Sequence, residues 1–212
     1  KQRGLVYPCA CSRREIADSA ANGIEGYVYP GTCRAGLPPG KTARATRLDT
    51  RGARITFDDA LQGRVRQNLE AEIGDFVVYR ADRVFAYQLA VVVDDAEQGI
   101  TDVVRGADLL DSTPRQIYLQ QVLGRVRPRY VHLPVAVNAQ GEKLSKQTLA
   151  PPIDTDHPVP VLLAALRFLG HESPHDIDGR DVRSLWQWAQ ENWNAGRVPH
   201  ARTLPAPVTR DW

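Results

Sequence analysis

The chain has 212 residues, 42% of them hydrophobic, with 27 lysines and arginines against 25 aspartates and glutamates. This length suits one large domain or two small ones with a sizeable core, and the nearly cancelling charges carry no argument for nucleic acid by themselves. No run approaches the roughly 18 apolar residues of a membrane helix, no secretory leader pattern is present, and the 3 cysteines point to reduced thiols or a metal site. A cytoplasmic protein without a membrane partner is expected.

Near the start, Cys9 and Cys11 form a Cys-x-Cys pair, and Cys33 returns after a Gly/Pro-rich turn. Zinc takes four tetrahedral ligands, usually thiolate or imidazole. No histidine lies nearby, so a fourth donor would be an oxygen (Tyr27 and Tyr29 are the close candidates), a water or a residue outside this chain. Plain buried or reactive thiols are the alternative. Arg13-Arg14-Glu15 opens a short helix that ends near Asn22-Gly23. From Lys41 to Arg66 the chain carries Arg44, Arg47, Arg51, Arg54, Arg64 and Arg66 with few acids. That spacing makes either a phosphate-tracking face or a solvated surface. Asp75 to Arg80 alternates as a strand does.

The apolar run Leu89 to Val93, closed by Asp94 and Asp95, predicts a strand buried on both faces. In open α/β sheets ligands sit beyond the carboxyl ends of such strands, where the two aspartates fall. They would orient an amine or a ribose there, or serve as caps or turn residues. Val103-Val104 then leads to Arg105-Gly106. Thr113 as N-cap, Pro114 at N1 and Gln116 at N3 open a helix. Its buried stripe pairs Tyr118 with Val122 and Leu119 with Leu123. The stretch Gly-Glu-Lys-Leu-Ser-Lys-Gln, residues 141–147, puts Lys143 and Lys146 on one loop. Lysine is a compact charge on a flexible stem, suited to following a polyphosphate through a reaction. A solvated Lys/Ser loop is the bland alternative.

After Ala150 the character changes. Pro151-Pro152 breaks the chain, and VLLAALRFLG predicts an apolar helix ended by Gly170. A further helix carries Leu185, Trp186 and Ala189 on a stripe and stops at Asn194-Ala-Gly196. Its tryptophans are read as core rather than as base-stacking platforms. His171 and His175 read as loop residues, and the tail from Thr203 reads as a Pro-stiffened surface segment.

The order YQLAVVVDD, GIT-VVRGADLL-STPRQ, HLP and KLSK resembles the catalytic domain of class I aminoacyl-tRNA synthetases, in their glutamyl branch, over roughly residues 5 to 170. The resemblance implies an α/β, Rossmann-type catalytic domain with a zinc-binding insert and a small C-terminal helical subdomain. The expected divisions are 1–40 for the insert, 41–150 for the second half of the nucleotide-binding domain and 151–212 for the helical piece. The family's earlier half carries a His-x-Gly-His-type motif, whereas the first histidine here is His132. A longer polypeptide is therefore expected.

Cys-x-Cys followed by Tyr-x-x-x-Cys is similar to the zinc insert of the short paralogues of glutamyl-tRNA synthetase. It implies structural zinc on Cys9, Cys11, Tyr29 and Cys33. The early stop after the helical piece fits the same paralogues. They activate L-glutamate with ATP and Mg and pass it to the queuosine base in the anticodon of tRNA(Asp). Carried over residue by residue, Tyr87 and Arg105 would hold glutamate. Lys146, the catalytic residue, would contact the ATP phosphates with help from Lys143. Gln147 departs from the family's usual Ser or Arg and leaves Lys146 as the main phosphate contact. A monomer is expected. A truncated ordinary glutamyl-tRNA synthetase and a non-catalytic nucleic-acid-binding paralogue are the alternative readings.

Overall fold

A computed structural model describes residues 4–24, 26–172 and 181–207. Two compact units divide the chain. The first comprises Lys1–Asp59, Gly63–Val103 and Leu109–Tyr130, and the second Ala60–Gln62, Val104–Asp108 and Val131–Trp212.

In the first unit, β1 (Val6–Cys9), β4 (Ala45–Leu48) and β7 (Val77–Tyr79) form an antiparallel sheet in the order β1-β4-β7. Between β1 and β4 lie the short helix α1 (Arg13–Ala17) and a minimal hairpin of β2 (Asn22–Gly23) and β3 (Gly26–Tyr27). Ser12 caps α1 in a reciprocal capping box with Glu15, which satisfies two orphan amide donors at its start. The helix stops five residues before the expected Asn22.

β5 (Arg54–Asp59) and β6 (Gly63–Asn68) form an antiparallel hairpin. Ile55 and Phe57 are buried while Arg54, Thr56 and Asp58 are exposed, the period-2 alternation of a half-buried strand. The hairpin's inner face meets α2 (Leu69–Glu72), and Ala53, Ile55, Phe57, Leu69, Leu110, Ile117 and Tyr130 make one core cluster. Phe57 and Tyr130 meet edge to face at 5.9 Å.

The run expected as a buried strand is a helix, α3 (Tyr87–Glu97). Leu89, Val91 and Val92 pack with Leu48, Phe76, Val78 and Leu119, so burial against sheet and helix overrides the β preference of the valines. Asp94 and Asp95 therefore close a helix, where their carbonyls accept from Gln98 and Ile100. The sheet-edge argument for them falls. The next helix, α4 (Thr113–Leu123), follows β8 (Asp102–Gly106) and a 3-10 turn over Ala107–Ser112. Its N-cap is Ser112 rather than Thr113, with no side-chain cap bond.

Asp75 ties the first unit together. It is 1% exposed and accepts from Arg34 Nε at 2.5 Å and Nη2 at 2.8 Å, from the Thr50 amide at 2.8 Å and hydroxyl at 2.9 Å, and from Tyr7 Oη. Burial pushes the Asp75 carboxyl up, but the bonds from Arg34, Tyr7 and Thr50 outweigh it and hold the group below the usual aspartate range. A depressed folded-state pKa means this stabilisation is complete above an unfolded value near ~4 and is lost as pH falls through the lower folded value. Asp75→Asn strands Arg34 and is expected to cost on the order of 3–5 kcal/mol. Urea unfolding at neutral pH, repeated toward pH 3, checks both size and sign. The gap between wild type and variant should narrow with acid.

The second unit contains β9 (Arg129–Leu133) from Val131 onward, β10 (Val135–Val137), α5 (Pro158–Phe168), α6 (Val182–Asn192) and β11 (Thr203–Pro205). β10 and β11 pair in parallel, so the tail contributes a strand. Leu163, Leu166, Leu185 and Ala189 form the core between α5 and α6. Trp186 and Trp193 are 51% and 45% exposed, against the expectation that they are core; Trp188 packs at the edge of the cluster. His171 is 1% exposed, stacks on Trp193 at 4.3 Å and accepts the Asn194 amide at 3.0 Å. It lies in the loop after α5, as expected, but as a buried structural histidine. His175 lies outside the described residues. No described helix is long and apolar enough to cross a membrane.

Candidate metal centre and substrate site

The end of β1 delivers Cys9, the following turn delivers Cys11, and the segment after β3 brings back Tyr29 and Cys33. The three Sγ atoms lie within 4.8 Å of one another. Tyr29 Oη stands 3.4 Å from Cys9 Sγ and 3.6 Å from Cys11 Sγ, and Cys11 and Cys33 Sγ are 3.6 Å apart. A tetrahedral zinc with Zn–S bonds near 2.3 Å and a Zn–O bond near 2.0 Å has edges of roughly 3.5–3.8 Å. Three of the donor pairs stand close to those edges, and the remaining thiol pairs lie within 4.8 Å. Tyr27 is 56% exposed, whereas Tyr29 is 3% exposed, which separates the two candidate tyrosines.

One guanidinium and one backbone amide point into the cluster. Arg47 lies over the Tyr29 ring at 3.9 Å, donates to Cys9 Sγ at 3.3 Å and is anchored on the Asp75 carbonyl at 2.6 Å. The Cys33 amide donates to Tyr29 Oη at 2.9 Å. In the side-chain cluster alone, burial and the neighbouring thiols push the Tyr29 hydroxyl up. Burial likewise raises the Cys11 thiol. For Cys33, burial is outweighed by hydrogen bonds from Tyr29 and the Ala10 backbone, and its thiol is lowered. Glu15, at the start of α1, is held down to about 2 by Lys41 and the Ser12 backbone.

In the sequence Arg47 is one of six similar arginines. It is 8% exposed and belongs to the cysteine cluster, while Arg54, Arg64 and Arg66 are exposed on the β5–β6 hairpin. Only its inward register on β4 distinguishes it, and that is invisible without the sheet.

Tyr87 opens α3 and is 54% exposed. It lies in the first unit, whereas Arg105, Lys143 and Lys146 lie in the second. Arg105 Nε donates to His132 Nε2 at 3.0 Å, and His132 is fully buried. A Cβ on Gly106 would come within 2.4 Å of Asp108 Oδ1 and 3.0 Å of Val135 Cγ1. A side chain at this position would press on Asp108 and Val135, so close packing favours glycine there even without a ligand.

The lysine loop is built rather than loose. Gly141 sits at φ 79° in the turn, Leu144 donates to the Ala136 carbonyl at 2.9 Å, and Lys143 bridges Val137. Ser145 caps a 3-10 turn over Lys146–Thr148, accepting from the amides of Gln147 and Thr148. Lys143 Nζ pairs with Asp108 Oδ2 at 2.6 Å, while Lys146 is exposed. Neither Asp108 nor His132 carries a site role in the sequence, because no local spacing pairs either with its partner.

A family model described as tRNA synthetases class I (E and Q), catalytic domain, matches residues 40–173. A glutamyl-Q tRNA(Asp) synthetase of Dechloromonas aromatica is 55% identical over 210 residues, covering 98% of this chain and 70% of that protein. One from Chromobacterium violaceum is 57% identical over 206 residues, covering 97% of this chain and 68% of that protein. Among solved structures, a glutamate tRNA ligase from Elizabethkingia meningosepticum superposes with a TM-score of 0.68 at 18% identity. That match covers 98% of this chain and 48% of the ligase. It supports the α/β fold of the class I catalytic domain.

Proposed function

The chain belongs to the class I tRNA synthetases for glutamate and glutamine, among the glutamyl-Q tRNA(Asp) synthetases, and on that premise we propose that it activates L-glutamate with ATP and transfers the glutamyl group to queuosine in tRNA(Asp). The observation that carries this reading is the 55% identity with a relative of that name across 98% of the chain. In the activation step a glutamate carboxylate oxygen attacks the α-phosphorus of ATP, forming the mixed anhydride as pyrophosphate leaves.

Arg105 supplies a planar fork for a substrate carboxylate, and Tyr87 offers its exposed hydroxyl to the amino acid. Lys146 is free to follow the phosphates and meets the charge that develops on the leaving group. Lys143, held by Asp108, assists. Mg accompanies ATP in this reading. Cys9, Cys11, Tyr29 and Cys33 hold a structural zinc, and the fit of their spacing to a tetrahedron supports it. Thiols kept reduced for zinc also suit the cytoplasm. The division into an insert over 1–40, a catalytic half over 41–150 and a helical piece over 151–212 belongs to the same proposal.

Glutamate-dependent ATP–pyrophosphate exchange on the complete gene product tests it. Exchange without tRNA is expected. Exchange only in the presence of tRNA would point to an ordinary glutamyl-tRNA synthetase, and none under either condition to a binding paralogue.

A further inference from the structure

We infer that His132 is a positioning residue for the reaction: it fixes the guanidinium of Arg105 in the orientation that meets the substrate carboxylate. The inference rests on the proposed role of Arg105 and adds to it the group that sets its geometry.

An arginine Nε–H can only donate. With Arg105 Nε 3.0 Å from His132 Nε2, the imidazole must accept there and carry its proton on Nδ1. Full burial of His132 makes this acceptor a fixed point rather than a solvent-exchanging partner. The backbone of His132 is fixed as well. Its carbonyl accepts from Gln62 Nε2 at 2.9 Å, and the same amide nitrogen donates to the Ala201 carbonyl at 3.0 Å. Binding Nε from a buried ring restricts the long arginine side chain. Rotamer freedom that substrate would otherwise have to remove is already spent.

The acceptor also has to be neutral. An aspartate in place of His132 would hold Arg105 equally well but would partly cancel the charge offered to a carboxylate. A neutral imidazole orients the guanidinium without itself cancelling any of its charge.

The test compares His132→Leu and His132→Gln in the complete protein. It measures KM for glutamate and for ATP in exchange, and glutamate binding by calorimetry. Leucine fills the space without an acceptor, whereas the glutamine side-chain oxygen can still accept from Nε. His132→Leu is expected to raise the glutamate KM and Kd about 10–100-fold, the range for losing a hydrogen bond to a charged group. KM for ATP should stay within about twofold, and His132→Gln should recover most of the loss. In an Arg105→Leu background, His132→Leu should have no further effect on glutamate.

Equal rises in both KM values, or a glutamine variant as impaired as the leucine one, would reduce His132 to a core residue. If Arg105→Leu weakens glutamate but His132→Leu does not, this inference alone fails. If Arg105→Leu leaves glutamate binding unchanged, the role given to Arg105 fails first.

Discussion

Lys146→Ala is expected to lower the rate of glutamate-dependent ATP–pyrophosphate exchange by roughly 10²–10³-fold, the usual loss when one preorganised group that stabilises transition-state charge is removed. The melting temperature should not move. The turn that carries Lys146 is held by Ser145, whose hydroxyl accepts from two following amides, and by backbone bonds, none of which use the lysine side chain. The two lysines of the loop should also differ. Lys143 is committed to Asp108 at 2.6 Å, so reaching a phosphate means giving up that ion pair. Lys143→Ala should therefore raise KM for ATP more than it lowers the rate. Lys146→Arg should rescue poorly, because a planar fork does not replace a compact ammonium that tracks a moving phosphate. A Lys146→Ala enzyme that kept a third of its rate would remove this residue from the chemistry.

What could be read directly from the sequence was local chemistry. The Cys-x-Cys pair and Cys33 stand out by spacing and Tyr29 only through the resemblance to the paralogues' insert, and the fold brings those four donors together, because ligands close in sequence need only turns to converge. The turn at Gly141 that opens the lysine loop was legible for the same reason. The turn signals also worked at Gly170, which ends α5 as expected. Long-range packing was not legible. Leu89 to Val93 reads as a strand on valine content and becomes a helix because three of those residues fit between β7 and α4. Arg47 and His132 are chemically ordinary in the sequence and acquire meaning only from partners 38 and 27 residues away. Trp186 reads in the sequence as part of a buried stripe with Leu185 and Ala189. The helix turns it outward because adjacent positions cannot share one narrow face.

Cys33→Ala should abolish stoichiometric zinc and lower the thermal midpoint by about 10 °C. The size follows from linkage. A ligand at a thousand times its dissociation constant stabilises by about 4 kcal/mol, and for a protein of this length each kcal/mol moves the midpoint by roughly 2–4 °C. Tyr29→Phe is the sharper variant. It keeps the ring under Arg47 and removes only Oη, the atom 3.4 Å from Cys9 Sγ and 2.9 Å from the Cys33 amide. Three thiolates and a water can still hold zinc. The tyrosine variant should therefore bind one equivalent more weakly, read by chelator competition, where the cysteine variant binds none. If Tyr29→Phe matched wild type in that competition, the phenol would be a packing residue and the fourth ligand would lie elsewhere. Because zinc in this reading holds the insert and touches no reacting group, zinc loss at low temperature should leave KM for glutamate and ATP near their wild-type values. A structural ion acts through the fraction folded, so its removal is expected to show in the midpoint and not in the Michaelis constants.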